Sequence, residues 1–212
     1  TAYEIYQCDW SSDVCSSDLK KEVVINMLNK LNIQLSDKDS SQHSFYLFMD
    51  EVTLATTKPM VEWIFESNFS EERPDLLNLI ICSPGGDLNA AFAMIDTMKG
   101  SAVPIRTIGL GQIASAGLMI FIAGTKGNRI LTPNTSILSH QYSWGAFGKE
   151  HELFATVKEF DLTTRKMISH YKRCTGLNEK KIRDVLLPPQ DIWLSAHEAK
   201  ELGICDNVKE LT

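Results

Sequence analysis

The chain has 212 residues, 43% of them hydrophobic and 23% charged, with a formal net charge of −6. That length suits one domain with a proper core, and the mild acidity offers no basic face for a nucleic acid. No apolar run approaches the roughly 18 residues of a membrane span, so a membrane-embedded protein is not expected.

Residues 1–19, TAYEIYQCDWSSDVCSSDL, differ in composition from everything after them. Back-translated, they match the constant parts of a sequencing-library adapter on either side of a variable index at residues 5–8, so they are set aside from fold reasoning. Without their four carboxylates (Glu4, Asp9, Asp13 and Asp18) the net charge of −6 becomes −2, and without Cys8 and Cys15 three cysteines are left, Cys82, Cys174 and Cys205. Three unpatterned thiols suit a reducing compartment, and a cytoplasmic location is expected.

Residues 20–31 read as a helix, within an N-terminal segment (20–43) that is otherwise unassigned, and 37–43 as a polar loop. From Ser44 onward short β-type runs alternate with helix-period segments, the pattern of an α/β layer fold. FYLFM (45–49) and LLNLIIC (76–82) read as strands, with MVEWIFESNF (60–69) between them as a helix. Residues 87–98 place Leu88, Ala91, Phe92, Ile95 and Met98 on one helical face, with Gly100 as the stop. IRTIG (105–109) is a strand, ASAGLMIFIAG (114–124) a buried helix, and ILSH (137–140) another strand.

The last third changes character. Leu153, Val157, Phe160, Met167 and Tyr171 mark a long amphipathic helix ending near Gly176. Roughly 25 residues at about 1.5 Å each give nearly 40 Å, more than the core of one domain needs, so the helix is expected to project and its stripe to meet a partner subunit. Residues 178–187 read as a shorter helix stopped by Pro188 and Pro189. Another follows at 196–202, with Ser195 as N-cap and Glu198 placed for a capping box.

Three windows carry chemistry. CSPGGD (82–87) follows an apolar strand and opens a helix; its glycines let the main chain turn so that N–H groups can face a cleft and bind developing negative charge. GQIASAG (111–117) sets Ser115 at the start of a small-residue helix, where the N–H of Ala116 favours an oxyanion. ILSHQ (137–141) ends a strand in His140. Singly, each has an ordinary reading: a turn, a helix N-cap, a hydrogen-bonded histidine. His43, His151, His170 and His197 lie on segments that read as exposed, which leaves His140 as the best-placed base.

Together the windows resemble the Clp protease proteolytic subunit (ClpP) family, whose pattern has an SPGG turn, a GQ-x-A-S-x-G nucleophile segment and a catalytic HQ. Gly86 precedes Ser115 by 29 positions and Ser115 precedes His140 by 25, the separations expected there. Residues 191–206, DIWLSAHEAKELGICD, are similar to the family's D-x-x-L-S-A-x-E-A-x-x-x-G-x-x-D ending. The resemblance covers residues 45–208. It implies a ClpP/crotonase-like spiral of ββα units in one domain at 44–212, with a protruding handle at about 142–176. It also implies a serine endopeptidase with Ser115 as nucleophile, His140 as base, Asp191 as orienting acid, and Gly86 and Ala116 as oxyanion donors. Asp184 is the nearest competing carboxylate.

The resemblance further implies polypeptide substrates, a homo-oligomer of two stacked heptameric rings, an AAA+ unfoldase partner, and no cofactor or metal. Several positions depart from the pattern. Tyr142 stands where the family has proline, Gln190 where it has an arginine that helps join the rings, and two extra residues precede Asp191. Rival readings are a non-catalytic ring subunit, a signal-peptide-peptidase-like enzyme, which would use a lysine base and a membrane anchor, and a crotonase-type acyl-CoA enzyme, which would place a carboxylate where Ser115 stands.

Overall fold

In chain order the elements are β1 (His43–Phe48), α1 (Leu54–Phe69), β2 (Leu76–Ser83), α2 (Leu88–Gly100), β3 (Ile105–Ala114), α3 (Ala116–Ile122), β4 (Arg129–Leu131), β5 (Ser136–Ser139) and α4 (Glu150–Thr175). A short helix α5 (Glu179–Lys181) follows and continues as a π-helical turn (Ile182–Leu186); β6 (Ile192–Ser195), α6 (Ala196–Glu201) and β7 (Asn207–Val208) complete the order. The computed structural model describes residues 43–143, 145 and 147–209. The helix expected at 20–31 and all but His43 of the loop expected at 37–43 lie outside them; His43 itself opens β1.

One sheet runs β1-β2-β3-β4-β7, and β5 pairs with both β3 and β6. Every pairing is parallel except that of β5 with β6. The fold is α/β. Strand β2 is buried at every position but Cys82, as expected of a central parallel strand covered on both faces. Its alternate residues Leu77, Leu79 and Ile81 join the main core with Met60 and Ile64 of α1, Met94 and Ile95 of α2, and all the apolar residues of α3. Ile80 points the other way, into a smaller cluster with Ile108 and Ile130.

Two boundaries differ from the sequence reading for identifiable reasons. Helix α1 begins at Leu54 and runs through Pro59, because Thr53 and Thr56 close a reciprocal capping box that starts the helix upstream of the proline. Strand β3 does not end at Gly109. Its register with β2 shifts by two residues between Ile81↔Gly109 and Ser83↔Ile113, and Gly111 takes φ +60° in this bulge, a conformation that a side chain disfavours. The bulge lets β3 leave β4, paired at residues 107–109, and take up β5 at residues 112–114.

Helix α4 has 26 residues and closes on Gly176 in the left-handed conformation, as a C-terminal glycine favours. Its first half carries the exposed Leu153, Phe154 and Val157; its second half buries Met167, Ile168, His170 and Tyr171. This corrects the reading of His170 as exposed. It is 2% exposed because its turn packs on α3, where Nε2–H donates to the carbonyl of Met119 at 2.8 Å. Between α4 and the sheet lies a buried ion pair in which Arg129 Nη2 meets Asp206 Oδ1 at 2.6 Å, and Arg129 Nη1 donates to the carbonyl of Cys174.

Candidate active site

The bulged β3 delivers its last residues to the parallel neighbour β5, with Ala114 opposite Leu138. Ser115 follows at once, its N–H donating to the carbonyl of Leu138 at 3.0 Å. It is the one non-glycine residue with positive φ among those described, at φ 50° and ψ −119°. Such a conformation costs on the order of 1–3 kcal/mol and persists where surroundings over-determine it. Here the surroundings include Gly85, at φ +96°: a Cβ on it would lie 2.8 Å from both Ala114 O and Ser115 Cβ. The turn therefore packs its bare backbone against the serine.

Strand β5 ends at Ser139, whose hydroxyl donates to the carbonyl of Leu186, and His140 comes next. Strand β6 runs antiparallel to β5 with Ser139 opposite Ile192, so one step beyond that pair sets His140 beside Asp191. His140 Nδ1 lies 3.1 Å from Asp191 Oδ1 and Nε2 lies 2.9 Å from Ser115 Oγ. With Nδ1–H directed at the carboxylate, Nε2 is left to accept from the serine hydroxyl. The histidine side chain is 27% exposed and the aspartate 63%. Asp184 lies on the π-helical turn with its side chain exposed, while His151 and His197 are exposed on α4 and α6.

The backbone donors can be placed by following the chain. Val52 N–H donates to Gly85 O and Asp87 N–H to Val52 O, both at 2.7 Å, the two bonds of a parallel bridge between Val52 and Gly86. Alternation along an extended chain turns the N–H of Gly86 to the opposite side from Val52. Ala116 is the first residue of α3, where N–H groups have no partner within the helix, and Ser115 does not cap it with its side chain.

A groove of about 400 Å³ opens here; Gly86, Ser115 and His140 line it, with Leu88 and Asn89 of α2, Tyr142 and Ser143, and Glu159 and Thr163 of α4. The sequence reading singled out Tyr142 only as a departure from the family pattern. Its hydroxyl donates to the carbonyl of Phe160 at 3.1 Å and its ring packs on Phe160 at 5.4 Å. Burial, aided by Glu159 and opposed by the hydroxyls of Thr164 and Thr163, holds its phenol above the ordinary 10.0. Glu159 and Thr163 were not anticipated; the signal was their i, i+4 spacing away from the helix's apolar stripe. Among the described residues, no group of three or more His, Cys, Asp or Glu side chains could hold a metal, and no helix is long and apolar enough to cross a membrane.

A parallel α/β sheet with a serine, a histidine and an aspartate meeting at strand ends defines a class of hydrolase-like architectures, and known proteins narrow it. The Clp protease family profile matches residues 44–212, and the chain belongs to that family. It is 37% identical over 134 residues to ATP-dependent Clp protease proteolytic subunit 2 of Corynebacterium diphtheriae, a match covering 63% of this chain and 66% of that protein. It is 36% identical over 132 residues to ATP-dependent Clp protease proteolytic subunit 1 of Corynebacterium jeikeium, covering 62% and 69%. The chain thus spans about two thirds of the length of these curated relatives. A point mutant of ClpP1 from Listeria monocytogenes superposes with a TM-score of 0.69 at 25% identity, over 82% of this chain and 94% of that one.

Proposed function

We propose that the chain is a proteolytic subunit of a Clp-type serine protease that cleaves polypeptides through an acyl-enzyme on Ser115. The observation that carries the reading is the unbroken relay Ser115 Oγ to His140 Nε2 at 2.9 Å and His140 Nδ1 to Asp191 Oδ1 at 3.1 Å. Ser115 Oγ attacks the scissile carbonyl while His140 Nε2 takes its proton, and Asp191 holds the ring and stabilises the imidazolium. The tetrahedral oxyanion is met by the N–H groups of Gly86 and Ala116, each worth roughly 3 kcal/mol at the transition state. His140 then returns the proton to the leaving amine, and water, activated by the same imidazole, releases the acyl group. The substrate lies as an added strand between the SPGG segment and the stretch after His140.

The chain acts in a homo-oligomer, two stacked heptameric rings, served by an AAA+ unfoldase in the cytoplasm. Supporting this are the relatives' names, which call them subunits of an ATP-dependent protease, and the exposed stripe of Leu153, Phe154 and Val157 on a helix nearly 40 Å long. The test is labelling with a fluorophosphonate or β-lactone probe. Wild type is modified at Ser115, and the Ser115→Ala and His140→Ala variants are not; an unmodified wild type overturns the reading. A chain that ignores the probe but binds a CoA ester is an acyl-CoA enzyme, and one that does neither but assembles is a structural ring subunit.

A further inference from the structure

Strand β5 places a hydroxyl where packing alone would favour a hydrocarbon. Ile137 and Ser139 share one face of the strand, and both are buried. A buried hydroxyl is costly unless it is bonded, and Ser139 stands between two groups: it donates to the carbonyl of Leu186, and its Oγ lies 3.5 Å from the Tyr171 hydroxyl. Its single proton is directed at a carbonyl that can only accept, so Tyr171 is the donor of the longer contact. Burial pushes the Tyr171 phenol up to about 12, which keeps that proton in place.

Leu186 ends the π-helical turn, where the last carbonyls have no partner within the turn. A second tie lies just beyond, from Gln141 N–H to the Pro188 carbonyl at 3.4 Å. His140 is thus flanked on both sides by bonds to residues 186–188, the segment that leads into Asp191. The β5–β6 ladder brings base and acid side by side, but its last pair is Ser139↔Ile192, one residue short of both. The two ties act where the ladder has stopped.

Resting on the serine-protease reading, we infer that Ser139 is a positioning residue: its hydroxyl fastens the strand end that carries His140 to the turn that feeds Asp191, and so keeps imidazole and carboxylate aligned with the nucleophile. Without that bond the main chain can turn about residue 139, and the imidazole shifts against Ser115 Oγ and Asp191 Oδ1, now 2.9 and 3.1 Å away. Tyr171 has the lesser part, because its contact is at the outer limit of a hydrogen bond.

The experiment follows modification of Ser115 by a fluorophosphonate probe, resolved into kinact and KI. It is run on full-length wild type, Ser139→Ala, Tyr171→Phe, Asp191→Asn and the Ser139→Ala, Asp191→Asn double variant. Rate constants describe only the molecules that react, so a role of Ser139 in stability alone leaves them unchanged. Ser139→Ala should lower kinact by about tenfold with KI within about twofold, the scale of a small misplacement of a reacting group. Tyr171→Phe should lower it by no more than about twofold. On the Asp191→Asn background the alanine should cost less than about twofold, since the alignment it disturbs is already lost. If Ser139→Ala does not fold, Ser139→Cys, a weaker donor, replaces it in the same cycle, with a loss of about threefold expected on the wild-type background. Unchanged kinact on the wild-type background, or an equal loss on both backgrounds, overturns this inference alone. Absence of labelling in wild type overturns the protease reading, and this inference with it.

Discussion

Lowering the pH should loosen the chain through His170. This imidazole is 2% exposed, its Nε2–H donates to Met119 O at 2.8 Å, and Nδ1 faces Arg173 Nη2 at 3.3 Å. A second proton would have to sit on Nδ1, ending its role as acceptor from Arg173 and setting two cations together inside the protein. Burial is the main force pushing its pKa down from 6.5 to about 4; the charges of Lys99 and Arg173 add to it, while the Met119 carbonyl and Asp96 work the other way. The unfolded chain therefore binds the proton more readily than the folded one. Stability is whole above about pH 6.5 and is lost as pH falls toward 4, at a slope approaching 1.4 kcal/mol per pH unit. Between pH 7 and 5 the loss works out to about 2 kcal/mol from this residue. Urea unfolding of wild type and His170→Gln at pH 7, 6 and 5 isolates the contribution, since every other titrating group is common to both. Wild type should lose about 2 kcal/mol more than the variant over that range. Parallel curves would refute the assignment of a neutral, buried imidazole.

Three further outcomes follow from the geometry. Asp191→Asn removes the carboxylate 3.1 Å from His140 Nδ1 and, on the proposed mechanism, should lower the rate of peptide hydrolysis by about 10²- to 10⁴-fold with an unchanged melting temperature; a loss under tenfold would show that this exposed carboxylate does not orient the base. Gly85→Ala adds a methyl group 2.8 Å from Ser115 Cβ at φ +96°. It should cost more than about 1 kcal/mol in thermal unfolding and abolish probe labelling of Ser115, and normal values of both would contradict the packing described. Arg129→Ala leaves the half-buried Asp206 without its cation and should destabilise the fold by about 2–3 kcal/mol in urea titration. Although burial raises the Asp206 pKa, the hydrogen bonds and charge of Arg129, with the Gly127 N–H, bring it below 3.8. This ion-pair stability is whole above the ordinary carboxylate range and is lost as pH falls through the lowered folded value, so the variant's acid limb should be flatter.

What could be read along the chain was what is settled locally. Gly176 closes α4, and Ser195 and Glu198 form the capping box of α6; each of these involves residues no more than about four apart. The elements that escaped depend on partners far away. Strands β4, β6 and β7 have only three, four and two residues, too few to show a period, and exist because a neighbouring strand completes their hydrogen bonds. The second half of β3 was hidden by Gly109 and Gly111, which look like a strand end and are a bulge. His170 looked exposed because it lies off the stripe marked by Met167 and Tyr171, while the residue that buries it, Met119, stands 51 positions earlier. Ser115, His140 and Asp191 were legible as residue types in recognisable windows, but the register that joins them was not.

That register also accounts for why two additional residues before Asp191 do no harm to its position. Loop-closure entropy grows as the logarithm of length, so adding two residues to the roughly fifty between His140 and Asp191 costs well under ~0.1 kcal/mol. Against this, β5 and β6 hold four residue pairs, from Ser136↔Ser195 to Ser139↔Ile192, with hydrogen bonds each worth about 0.5–1.5 kcal/mol net. A slip of one residue would turn Leu194, which packs on the core opposite Ile137, away from it, and a slip of two would carry Asp191 roughly 6.5 Å along the strand, beyond reach of His140 Nδ1. Before the strand begins, Leu187 is buried and the Pro188 carbonyl accepts from Gln141 N–H at 3.4 Å. Proline ends the π-helical turn there because its ring cannot continue a helical ladder. The position of Asp191 beside His140 is thus set by the sheet ladder, and the intervening chain is free to vary in length.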